Sequence, residues 1–119
     1  MPKSFKEMVQ AARDSGIPEI TSEQLAAKME KGEEFTILDV RDPEEWEKGT
    51  IPGAKTISRG KLEMKIGEEV PEEDREIVVY CGGGSRSMLA SKTLRDMGYK
   101  NPVSLAGGYR GWKEFKGEA

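Results

Sequence analysis

The 119-residue chain has a single cysteine, Cys81, and no histidine. Cys81 ends the apolar run Ile77-Val78-Val79-Tyr80 and opens the segment Gly82-Gly83-Gly84-Ser85-Arg86-Ser87, beyond which the pattern turns helical. A thiol at the carboxyl end of a strand, followed by a glycine-rich turn into a helix, can be ringed by backbone N–H groups and held as the nucleophilic thiolate. Three consecutive glycines permit the positive φ values of a tight curl. Arg86 stands near the helix start, where the macrodipole disfavours a cation, so its placement points to an anion handled there. A lone cysteine makes no internal disulfide and no Cys-x-x-Cys pair, so any covalent chemistry passes through this sulfur. Without histidine, Ser-His-Asp triads, Cys-His nucleophiles and His-ligated zinc are excluded.

The remaining composition narrows the class. Hydrophobic and charged residues are nearly balanced, at 35% and 34%, which describes one globular domain with a heavily charged surface. Lys and Arg alternate with Glu along the whole chain and the formal net charge is -3, so no nucleic-acid partner is expected. Apolar runs fall well short of a membrane span and no signal core follows Met1, so no membrane partner is expected and a cytoplasmic location is the default. The acids Glu68, Glu69, Glu72, Glu73 and Asp74 read as a solvated face.

Helix and strand signals alternate around the cysteine. Ser4 with Glu7, and Thr21 with Gln24, have capping-box spacing. They predict an amino-terminal helix with Phe5, Met8, Val9 and Ala12 on one face, and a second helix carrying Leu25 and Met29. Strands are expected at Glu19-Ile20-Thr21, Phe35 to Val40, Ala54 to Ser58, Ile77 to Tyr80 and Val103 to Leu105. Asp42-Pro43-Glu44-Glu45 begins a short helix bearing Trp46, and Gly60 to Val70 is helical with Leu62, Met64 and Ile66. A helix with Ala90, Leu94 and Met97 at helical spacing ends at Gly98, and a last one carries Trp112 and Phe115. Strands separated by helices pair in parallel through right-handed crossovers, giving an α/β fold: an open five-stranded parallel sheet with helices on both faces. Ligands bind beyond the carboxyl ends of such strands, where Asp39, Cys81 and the Gly107-Gly108 turn should share one rim. Residues 1–17 form a helical extension with no assigned role, and 18–117 form the domain.

Five segments carry a resemblance: Leu38-Asp39-Val40-Arg41, Glu44-Glu45-Trp46, Gly49-Thr50-Ile51-Pro52-Gly53-Ala54, Tyr80 to Ser87, and Leu105 to Trp112. In this order they resemble a single-domain rhodanese, a sulfurtransferase, over roughly Pro18 to Phe115. The resemblance implies that Cys81 carries sulfane sulfur as a persulfide. It would pass from thiosulfate or a persulfide donor to a thiol, cyanide or thioredoxin-like acceptor, without cofactor or metal. Members often carry His where Thr50 stands, in an element that looks architectural.

Sulfur transfer suits a histidine-free chain because the thiolate attacks, sulfite leaves and no proton shuttle is required. On this reading Cys81 is catalytic and Gly82, Gly83, Gly84, Ser85, Arg86 and Ser87 bind substrate. Asp39 and Arg41 support the site as an internal ion pair, and Trp46, Tyr109 and Trp112 serve mainly in packing. Two alternatives remain. A non-turnover sulfur-carrier, redox-sensing or partner-docking module would use the same cysteine. A cysteine phosphatase or arsenate reductase fits less well, because those loops resemble Cys followed by five residues and then Arg, whereas four residues separate Cys81 from Arg86.

Overall fold

The computed structural model describes residues 1–118. Five strands, β1 (Glu19–Ile20), β2 (Thr36–Asp39), β3 (Lys55–Thr56), β4 (Glu76–Tyr80) and β5 (Asn101–Leu105), form one sheet in the order β1-β5-β4-β2-β3. Every pairing is parallel. The helices are α1 (Phe5–Asp14), α2 (Ser22–Glu30), α3 (Pro43–Trp46), α4 (Leu62–Glu69), α5 (Ser85–Met97) and α6 (Gly108–Phe115). A single 3-10 turn over Arg59–Lys61 leads into α4. The expected α/β architecture is therefore the observed one, with β3 trimmed to two paired residues.

The period-two alternation of β4 sorts its side chains between two cores. Ile77, Val79 and Cys81 face Leu62, Ile66, Ala90 and Leu94, on the side covered by α4 and α5. Val78 and Tyr80 face Leu25 and Trp112, on the side covered by α2 and α6. All four residues from Ile77 to Tyr80 are fully buried, as expected of a central parallel strand covered on both faces. Each such aliphatic side chain contributes about 1.5–3 kcal/mol by leaving water.

The two expected capping boxes form at Ser4/Glu7 and Thr21/Gln24. Helix α1 lies on α5, with Val9, Ala12 and Ile17 packed around Met88. Phe5 and Met8, expected on the same packed face, are instead exposed because the buried stripe against α5 is narrow. Met64 is exposed while Leu62 and Ile66 are buried, since only the i, i+4 pair of this helix looks inward. Met97, at the last turn of α5, is also largely exposed.

Candidate functional site

Cys81 follows directly on β4, the central strand, so the loop after it is flanked by the ends of β2 and β5. The chain turns at Gly84, the N-cap of α5, whose φ is +108°. Only glycine adopts that left-handed geometry readily. Gly82 and Gly83 have no positive φ, so a single left-handed residue suffices for the curl, where the run of three suggested more.

The curl aims two amides at the sulfur. The Gly84 N–H donates to Cys81 Sγ at 3.1 Å and the Ser87 N–H at 3.3 Å. Each N–H bond to a charged acceptor contributes about 1.5–3 kcal/mol, and the α5 macrodipole adds to the same end. Gly82 plays a different part, since its carbonyl accepts from the Arg110 amide at 3.1 Å. Ser85 is exposed in the first turn of α5. Cys81 itself is buried and its strand packs among aliphatic residues, yet its sulfur is met by amides.

Two further elements hold the loop in shape. Helix α6 lays its first turn on it: the Tyr109 amide donates to the Cys81 carbonyl at 2.7 Å. This contact requires glycine at position 108, where φ is +57° and a Cβ would stand 2.5 Å from the Cys81 carbonyl oxygen. Beneath the loop, Ser87 Oγ donates to the Gly84 carbonyl at 3.1 Å and lies 3.6 Å from Cys81 Sγ. Ser104 Oγ, fully buried on β5, is 2.8 Å from Ser87 Oγ. If Ser104 donates in that pair, the single Ser87 proton stays available to the carbonyl or to a thiolate.

At the neighbouring strand end, Asp39 and Arg41 form a buried ion pair. Arg41 Nε and Nη2 reach the carboxylate at 3.0 and 2.8 Å, and the Arg41 amide reaches it at 2.9 Å. Burial works against the Arg41 charge, but the Asp39 carboxylate outweighs it and raises the guanidinium above its ordinary value. Arg41 Nη2 also donates to the Gly49 carbonyl at 2.7 Å, and its guanidinium sits 4.3 Å from the Tyr109 ring centroid. Tyr109 stacks on Tyr80, whose hydroxyl accepts the Ile51 amide at 3.0 Å and is raised well above the ordinary phenol range by burial. These contacts tie the segment between β2 and β3 to α6, so the pair acts on the site through positioning.

Arg86 lies at the rim of the loop and is not free. Its Nη1 and Nη2 donate to the two Glu45 oxygens at 3.1 and 3.3 Å. The Arg86 guanidinium holds Glu45 below the usual carboxylate range, while Glu45 raises Arg86. The chain pattern signalled Glu45 as a helix-start acid and as part of the Glu44-Glu45-Trp46 segment of the resemblance, not as a partner of Arg86; it is the former too, since its Oε1 accepts the Asp42 amide at 3.1 Å. Ser104 was missed as well, although a serine inside Val103-Ser104-Leu105 is a polar residue in an otherwise apolar strand. Among the described residues, no group of three His, Cys, Asp or Glu side chains is placed to hold a metal ion.

Residues 21–115 match the model of the rhodanese-like domain family. Two proteins of Bacillus subtilis (strain 168) are similar to the chain. YrkF, provisionally assigned as a sulfur carrier protein, is 41% identical over 98 residues, covering 82% of this chain and 52% of that protein. The chain thus spans about half the length of YrkF. YtwF, provisionally assigned as a sulfurtransferase, is 38% identical over 97 residues, covering 82% of this chain and 91% of that one. A solved structure from Rhodopseudomonas palustris CGA009, described as a protein of unknown function and possible tyrosine phosphatase, superposes with a TM-score of 0.85. It shares 37% identity and covers 98% of this chain and 96% of that one.

Proposed function

The chain belongs to the rhodanese-like domain family of sulfurtransferases and sulfur carriers, and on that footing we propose that it is a thiosulfate sulfurtransferase working through a persulfide on Cys81. The observation that carries this reading is the pair of amides, from Gly84 and Ser87, donating to Sγ. They favour a negative sulfur without supplying a proton or a full counter-charge, which are the two things a sulfur-transfer nucleophile does not need.

In the first step the Cys81 thiolate attacks the outer sulfur of thiosulfate. A bond forms between Sγ and that sulfur, the sulfur–sulfur bond of thiosulfate breaks, and its electron pair leaves with sulfite. In the second step a thiophilic acceptor attacks the outer sulfur of the persulfide, and the electron pair of the breaking bond returns to Sγ. The loop amides that serve the resting thiolate serve it again at the end of the cycle.

The phosphatase reading is weaker on the same geometry. Arg86 follows Cys81 after four residues and is bound by Glu45, so it is not presented as a free bidentate ligand for a phosphate held by the loop. The carrier reading, suggested by the assignment of YrkF, shares the loading step and differs in turnover. Intact mass after thiosulfate treatment should show a gain of one sulfur, lost in Cys81→Ala. Steady thiocyanate formation from thiosulfate and cyanide should accompany it. Loading without turnover would select the carrier, and no loading at all would end both sulfur readings.

A further inference from the structure

Two guanidinium groups flank the Cys81 loop, and their charges are in different states. A Cβ on Gly82 would stand 3.3 Å from Arg86 Nη2 and 3.8 Å from Glu45 Oε2, so the Glu45–Arg86 pair lies directly against the residue after Cys81. A Cβ on Gly83 would stand 3.6 Å from Arg110 Nη1, which places the second guanidinium over the next residue. The Arg110 amide, bonded to the Gly82 carbonyl at 3.1 Å, anchors it there. Arg86 spends its two terminal nitrogens on the Glu45 carboxylate. Among the described residues, Arg110 makes no ion pair.

The open cleft beside the loop, about 520 Å3, has the same asymmetry. Glu45 is the only acid in its wall, and Arg41 there is bound to Asp39. Lys48 and Lys113 line it with Arg110 and, among the described residues, also make no ion pair. In a chain of net charge -3 these three cations form a local field that draws anions to the loop. Arg86 is close enough to respond to the sulfur: Glu45 raises it most, burial works against that, and the charge of Cys81 raises it further. Two guanidiniums on one small dianion would act as a chelate, and a chelated product leaves slowly.

Resting on the persulfide reading of Cys81, we infer that Glu45 is a specificity-determining residue that disarms one arm of this clamp. The loop then meets a dianionic donor, and its dianionic leaving group, with one guanidinium instead of two. Glu45 touches no reacting atom and acts through Arg86, as a positioning residue. When the Cys81 thiolate takes the outer sulfur of thiosulfate, the bond between the two thiosulfate sulfurs breaks and its electron pair leaves with sulfite. That sulfite must clear the loop before an acceptor can reach the persulfide. By neutralising Arg86, the carboxylate lowers the preference of the loop for double charge, which weakens donor binding and hastens sulfite release together.

Anions of like shape and unlike charge test this. Sulfite pairs with methanesulfinate, and thiosulfate with methanethiosulfonate; in each pair a methyl group replaces one charged oxygen. The products are titrated into the sulfur-free protein at low ionic strength and followed by the amide resonances of Gly82 and Gly83. Glu45→Gln keeps the side-chain oxygen that accepts the Asp42 amide, so the start of α3 is preserved. It should bind the sulfite dianion about fivefold more tightly than the wild type, and methanesulfinate only about twofold. The gain should shrink in about 0.5 M salt and vanish in E45Q/R86Q, which lacks the freed arm. No gain, an equal gain for both anions, or a gain that survives removal of Arg86 would overturn the inference whether or not Cys81 takes up sulfur. A failure of thiosulfate to load Cys81, with the binding gain intact, would instead remove the persulfide reading and with it the role in sulfite release. Turnover supplies the last arm: in Glu45→Gln the KM should fall about fivefold for thiosulfate and about twofold for methanethiosulfonate, and equal shifts would overturn the inference.

Discussion

Two adjoining strand ends treat negative charge by opposite means. At the end of β2, Asp39 is fully buried and meets a guanidinium through two nitrogens. At the end of β4, Cys81 is equally buried and meets two backbone N–H groups and the Ser87 hydroxyl, with no charged partner in hydrogen-bond reach. A full counter-charge makes an ion permanent, because removing either partner strands the other in low dielectric. Dipoles stabilise an ion less strongly and leave it free to form and lose a covalent bond. The one cation on the Cys81 loop, Arg86, is held aside by Glu45, which preserves the distinction.

The sharpest way to break the comparison is Arg41→Ala. It leaves a buried carboxylate without its partner and should cost about 3–5 kcal/mol of stability, read as a large fall in denaturant midpoint. A variant that unfolds like the wild type would show that Asp39 is not held by this pair. Next comes Gly108→Ala, which forces a methyl group against the Cys81 carbonyl. The expected cost is about 2–3 kcal/mol, and the damage should concentrate in the loop, so sulfur loading should fall more steeply than stability.

Smaller effects sharpen the contrast. Ser104→Ala removes the buried hydroxyl behind Ser87 and should cost about 1 kcal/mol. Sulfur loading should slow severalfold as Ser87 loses its orienting partner, and Ser104→Thr should restore it. Unchanged loading in the alanine variant would make Ser104 a packing residue alone. Glu45→Gln should have the least effect on stability, under about 1 kcal/mol, because the pair is more than one third exposed. It frees Arg86, so the Michaelis constant for thiosulfate should fall. The pH signature has a definite sign. Glu45 is held below its ordinary value of 4.5, so the pair's stabilisation is present above that value and fades as pH falls through the lowered one. The glutamine variant should therefore show a shallower loss of thermal midpoint on acidification.

Most of the scaffold was legible along the chain. The fully apolar Ile77-Val78-Val79-Tyr80 specified a buried parallel strand, and two capping boxes marked helix starts that the structure contains. The position of Cys81 at a strand end and a helix start was equally plain. Helical faces were read too generously at Phe5, Met8 and Met97, because periodicity says which residues share a side and not how wide the covering element is. The contacts that shape the site were hidden for another reason. Glu45 with Arg86 and Ser104 with Ser87 join residues 41 and 17 positions apart, and neither partner's local pattern names the other.

Residue order thus set the alternation of elements, the face each strand residue takes and the place of Cys81, since these follow from local periodicity and turn chemistry. Tertiary packing alone decided which amides reach the sulfur, that Gly108 must lack a side chain, and which cations keep an unspent charge. Those properties depend on how β2, β4, β5 and α6 converge on one rim, and convergence is a property of crossovers and packing rather than of neighbours in the chain.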